Sequence, residues 1–104
     1  MRHVTGTRLQ PLTYFLGANF PNPFNPVTSI DYTLPTTAGV ELTVFDILGR
    51  KVKTLVDDAN HPAGFYTATW DGRDQRGRTA GNGLYFYRIR SGDFRQTGKM
   101  MLLK

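Results

Sequence analysis

The chain contains no cysteine, so a disulfide framework, a thiolate metal site and a thiol nucleophile are all excluded. It holds no apolar run near the roughly 18 residues of a membrane-spanning helix, and residues 1–10 lack the apolar centre of a secretory signal peptide. The expectation is a cytoplasmic chain or a piece of a longer exported one, with no membrane span. Helical periodicity is also missing: apolar residues nowhere recur at three- and four-residue spacing over a useful length. Histidine is confined to His3 and His61. His3 falls in a tail and His61 beside Pro62, so both read as solvated loop residues without a triad partner. Carboxylates are few and dispersed, and Asp57-Asp58 reads as a turn, since neighbours on a strand face opposite ways. No catalytic constellation emerges, and the chain is expected not to be an enzyme and to need no cofactor.

What is present suits one small domain. Leu, Ile, Val and Phe make up a quarter of the 104 residues, enough for a core, and a folded chain of this mass buries roughly 65% of its unfolded surface. The formal charge of +5 raises nucleic acid as a partner. The cations, however, scatter over Arg50–Lys53, Arg73–Arg78, Arg88–Arg90 and Arg95–Lys99, beside turns and at alternating positions, so solvated charge is the reading adopted and no nucleic acid is expected.

Period-two alternation recurs between Gly, Pro, Asn and Asp clusters, the signature of an all-β chain. Thr28–Leu34 sets Ile30, Tyr32 and Leu34 against polar neighbours, and Pro35 then stops the ladder. Val40–Phe45 continues through Asp46-Ile47-Leu48-Gly49, a turn with Asp first and Gly fourth, into a hairpin partner at Arg50–Val56. Gly64–Trp70 places Tyr66, Ala68 and Trp70 inward. Leu84–Arg90 begins apolar on both faces, which marks a central strand, and Phe94–Leu103 closes the chain. With a short strand at Thr13–Leu16 there are about seven strands, which predicts an immunoglobulin-like antiparallel β-sandwich. Residues 1–12 read as a linker or tail and 13–104 as the domain.

Three stretches and one tyrosine stand out. Asp71-Gly72-Arg73-Asp74-Gln75-Arg76-Gly77 is reminiscent of a calcium loop, but Arg73 stands where an oxygen ligand is needed and no closing Glu follows, so a tight turn is expected and no metal. Tyr85, two residues after Gly83, suits a tyrosine corner. Phe20-Pro21-Asn22-Pro23-Phe24-Asn25-Pro26 is rigid without a partner strand, because proline fixes φ and restricts the residue before it. Phe20 and Phe24 would anchor it to the sandwich, holding an attached linker in place. Lys99-Met100-Met101-Leu102-Leu103-Lys104 brackets four apolar residues with lysines. It reads either as an ordinary final strand or as a C-terminal address with free edge groups, open to strand addition or carboxylate capture.

Together, Phe20–Pro26, Leu42–Val52, Gly83–Arg88 and Lys99–Lys104 resemble the C-terminal sorting domain of proteins exported by the bacterial type IX secretion system, over about Thr13–Lys104. A second, overlapping resemblance, carried by Val40–Val52 and Trp70–Asp74, is to the immunoglobulin-like domain of the flagellar hook-capping protein. The first resemblance implies a non-catalytic signal for secretion and cell-surface attachment, carried from periplasm to outer membrane. It implies a fused N-terminal cargo, an outer-membrane translocon that reads the domain, and a sortase-like peptidase that cuts on the linker side, for which residues 1–12 are the candidate region. The recognition residues it implies are Lys99, Met100, Met101, Leu102, Leu103 and Lys104 with Gly83 and Tyr85. Pro21, Asn22, Pro23 and Phe24 would be the linker anchor. The rival readings are a carbohydrate-binding sandwich using an exposed aromatic such as Phe45, and a structural assembly domain of the hook-capping kind.

Overall fold

The computed structural model of the chain describes residues 10–104. His3 and all but the last three residues of the expected tail lie outside the described residues. Seven strands follow in order: β1 (Phe15–Leu16), β2 (Thr28–Leu34), β3 (Ala38–Phe45), β4 (Lys51–His61), β5 (Gly64–Trp70), β6 (Gly83–Ser91) and β7 (Phe94–Leu102). They form two antiparallel sheets, β1-β2-β5 and β4-β3-β6-β7. The two-residue period of the sequence is the cause. Ile30, Tyr32, Leu34, Ala68 and Trp70 of one sheet face Val40, Leu42, Val44, Tyr85, Tyr87, Ile89, Met100 and Leu102 of the other, and all are buried. The result is the immunoglobulin-like sandwich expected of seven short strands.

Strand β6 lies between β3 and β7, as its apolar character on both faces requires. Trp70 sits at the centre with no exposed surface. Its ring meets Phe24 at 5.5 Å and Tyr85 at 5.2 Å, and its Nε1–H donates to the Arg73 carbonyl at 2.9 Å, which relieves the one polar atom of the indole. Gly98 stands opposite Tyr87, where any Cβ would overlap the tyrosine ring. The ring therefore lies across the β6–β7 pair. The Tyr87 hydroxyl reaches the N-terminal segment, donating to the Gly17 carbonyl at 2.9 Å and accepting from the Asn19 amide at 3.1 Å.

Two loop expectations are corrected. His61 is the last residue of β4 and buried; its Nε2 lies 2.9 Å from the Tyr32 hydroxyl and its ring packs edge-on against Tyr66. Asp57 and Asp58 are strand residues that pair with Glu41 and Val40. Strand β4 runs five residues past Val56 because it is an edge strand whose register slips three times against β3. Residues 57–60 are exposed in succession, so both faces of the strand meet water there and two consecutive carboxylates fit.

Candidate functional site

The residues implied in recognition, Gly83 and Tyr85 with Lys99–Lys104, and those of the implied linker anchor, Pro21–Phe24, lie in three parts of the chain that the fold brings to one end of the sandwich. Leu102, Met101 and Met100 of β7 pair with Gly83, Leu84 and Tyr85 of β6. On the other side of β7 lies the proline-rich strap, with Phe24 bridging Leu102 in parallel. The Phe24 amide donates to the Met101 carbonyl at 2.9 Å, and the Leu103 amide donates to the Phe24 carbonyl at 3.1 Å. The Met101 amide donates to Asn22 Oδ1 at 3.0 Å, and the Lys104 amide to Asn82 Oδ1 at 2.9 Å. Phe24 is the one residue among Pro23, Phe24, Asn25 and Pro26 that combines an amide donor with an apolar ring, so sequence chemistry selects it as the pairing residue.

The strap is itself fixed to the first sheet. Phe20 and Ser29 exchange two backbone bonds of 2.9 Å. The Thr28 hydroxyl donates to the Pro21 carbonyl at 2.9 Å and accepts from Asn19 Nδ2 at 3.0 Å. Phe24 is 1% exposed and Phe20 80%. Of the two expected aromatic anchors, only Phe24 anchors through its ring; Phe20 holds through its backbone.

This geometry divides the implied signal in two. Met100 and Leu102 are core residues, whereas Lys99, Leu103 and Lys104 are exposed and Met101 is half-buried. The edge is also narrower than expected: its backbone groups at Met101 and Leu103 are already engaged by the strap, so strand addition is obstructed there. Tyr85 forms the expected corner, its hydroxyl donating to the Gly81 carbonyl at 2.7 Å. Burial first, and the Asp46 carboxylate second, push its phenol up, which keeps it a donor. Phe45, named as a candidate exposed aromatic, is half-buried with the Arg88 guanidinium 4.8 Å above its ring.

Two of the expected turns are copies of one another: Asp46-Ile47-Leu48-Gly49-Arg50 and Asp74-Gln75-Arg76-Gly77-Arg78 share one conformation. In the first, Asp46 Oδ1 accepts the amides of Leu48 and Arg50 at 2.9 Å each, and Asp46 Oδ2 accepts Arg50 Nε–H at 2.8 Å. In the second, Asp74 Oδ1 accepts the amides of Arg76 and Arg78 at 2.9 Å each, with Arg78 Nε 3.4 Å from Oδ2. Gly49 and Gly77 occupy the same left-handed position, at φ 80° and 83°, which L side chains rarely adopt. Amide bonds from Arg50 and Arg78 are the leading reason that Asp46 and Asp74 are held below the usual carboxylate range. The calcium-loop residues thus spend their carboxylates on a turn, as expected; Asp71 Oδ1 likewise accepts the Arg73 amide at 3.0 Å. Among the described residues no group of three His, Asp or Glu is placed to hold a metal.

Comparison with known proteins places these features. The family model of the FlgD Ig-like domain matches residues 25–93. Among solved structures, dimeric latent PorU of Porphyromonas gingivalis superposes with a TM-score of 0.67 at 21% identity, covering 98% of this chain and 10% of PorU. PorZ of the same organism, described as an essential surface component of the type IX secretion system, gives 0.58 at 15% identity over 88% of this chain and 11% of its own. FlgD of P. aeruginosa gives 0.55 at 19% identity over 77% of this chain and 67% of its own. The chain therefore spans about a tenth of the length of PorU and PorZ. Among curated proteins none matches it.

Proposed function

The chain belongs to the family of FlgD Ig-like domains, and from that footing we propose that it acts as a non-catalytic sorting domain of type IX secretion, read by an outer-membrane translocon and a sortase-like peptidase. The observation that carries this reading is the convergence at one end of the sandwich. The strap, the Gly83–Tyr85 segment and the Lys99–Lys104 strand meet there, joined by the Phe24, Asn22 and Asn82 bonds. The likeness to PorU and PorZ supports it, since it covers 98% and 88% of this chain. In this reading the core holds the terminal strand in one shape, and the translocon reads the side chains that remain outside, Lys99, Met101, Leu103 and Lys104. The domain travels with an N-terminal cargo through the periplasm to the cell surface.

A second reading rests on the family match itself, which ends at residue 93 and begins inside the strap. A structural assembly module of the hook-capping kind would use the sandwich and be indifferent to the terminal lysines.

The test is a reporter bearing a signal peptide and fused upstream of this domain in a type IX-competent host. Replacing Lys99, Leu103 and Lys104 together by serine alters only exposed side chains, so the fold survives. Surface display is expected to be lost, with the reporter held in the periplasm. Undiminished display overturns the sorting reading, and self-association that persists in the triple variant favours the assembly module.

A further inference from the structure

The repeated Asp-x-x-Gly-Arg turns form the two sides of one open groove of about 500 Å³, lined by Asp46, Arg50, Lys51, Asp74, Arg76 and Arg78 above a floor that includes Val52, Ala80 and Tyr85. The turns are 28 residues apart in sequence and are held side by side by Gln75. Its amide donates to the Val52 carbonyl at 2.9 Å, and its Oε1 accepts the Thr54 amide at 3.0 Å. The second turn is thereby clipped to the β4 edge next to the first.

Within each turn the aspartate takes the Nε–H of its arginine. This fixes the plane of the guanidinium and leaves the terminal amino groups without a partner among the described residues. Arg50 and Arg78 remain 72% and 68% exposed. Two oriented, solvent-facing forks of this kind suit a tetrahedral oxyanion, which offers more acceptor oxygens than a single carboxylate can share between two arginines. The lining charge agrees. Four cations stand against two carboxylates, and both carboxylates are already committed to backbone amides and their own arginines. The surplus of two positive charges matches a phosphate near neutral pH.

We infer that this groove is a binding site for phosphate groups, with Arg50 and Arg78 as the bidentate ligands and Lys51 and Arg76 as supporting charges. The apolar floor gives it room for the body that bears the phosphate, a sugar or a lipid headgroup. The inference does not rest on the sorting function: its charged ligands lie outside the strap and the terminal strand, and Tyr85 of the floor is the one residue shared with the implied recognition set.

The experiment is a nitrogen-15 NMR titration of the full chain with inorganic phosphate, at ionic strength held constant with chloride. Saturable shifts are expected at the amides of residues 48–51 and 76–80 and at the Arg50 and Arg78 Nε–H signals. Arg50→Gln with Arg78→Gln should weaken binding by about tenfold or more. Because both side chains are mostly exposed, the variant keeps the remaining spectrum and reports binding rather than unfolding. Non-saturating shifts, equal shifts with chloride, or binding unchanged in the double variant would overturn the site. A polyglutamate peptide that binds while phosphate does not would overturn it too, in favour of an acidic protein partner. Sedimentation with phosphatidylcholine vesicles containing phosphatidic acid, against glucose 6-phosphate as competitor, separates the sources. Retention on vesicles identifies a lipid headgroup, and binding of the sugar phosphate alone identifies a glycan.

Discussion

Single side chains carry consequences that can be measured one at a time. The Thr43 hydroxyl is buried and finds no partner among the described residues. Thr43→Val removes the desolvated oxygen at nearly constant shape and is expected to raise stability by about 1 kcal/mol in a urea titration. Tyr32 gives a pH dependence of definite sign. Burial, then the Tyr66 and Asp58 charges, push its phenol from 10.0 up to about 12. The folded state holds this proton more tightly than the unfolded chain does. The contribution is complete below pH about 10 and is lost as pH rises through about 12. Stability should therefore fall across that alkaline window, and Tyr32→Phe should flatten the fall. The slope is the readout, since the variant also releases His61 from its 2.9 Å contact. Trp70, Tyr66 and Ala68 were legible as inward residues because alternation alone decides the face of a strand. His61 was not, because a histidine next to proline resembles a loop, and only the packing of β4 over Tyr32 shows that the strand continues that far.

At the level of elements, what propensity and turn chemistry encode was readable and what long-range pairing decides was not. The spans of β2 and β5 coincide with their alternating runs, bounded by Pro35 and by Gly64 and Asp71. The strap could be recognised as rigid. Its partner could not, because nothing local in Pro23-Phe24-Asn25 states that β7 lies alongside. The Asp-x-x-Gly-Arg repeat is present as spacing, but its meaning appears only when Gln75 brings the two copies together. The strap pairing makes a local prediction. Asn22→Ala removes the acceptor of the Met101 amide, and hydrogen exchange at Met101 should quicken by about fivefold or more, since a lost bond of this class is worth about 1 kcal/mol. Exchange at Met100, whose place in the ladder faces Tyr85, should be unchanged.

For the whole molecule, the two sheets and the N-terminal segment share one core. Leu16 and Phe24 lie in the same buried cluster as β2, β3, β6 and β7, and the Tyr87 hydroxyl ties Gly17 and Asn19 to the second sheet. Unfolding should accordingly be a single transition, with fluorescence of the one tryptophan and far-ultraviolet circular dichroism giving coincident curves. Tyr87→Phe should shift both together by about 1–3 kcal/mol, because two buried backbone groups lose their partner.

The direction of the Phe24–Leu102 bridge matters mechanically. Because the strap and β7 run parallel there, a pull on the chain upstream of Phe24, resisted at the end of β7, drags the two segments past each other along their axis. The bonds from Phe24 to Met101 and Leu103 then bear the load together instead of opening one after another. The proline-rich segment works as a shear clamp behind the earlier ties at Gly17, Asn19 and Phe20: tension that passes those ties is delivered into the core at Phe24, whose ring packs on Trp70, before it reaches Lys99–Lys104.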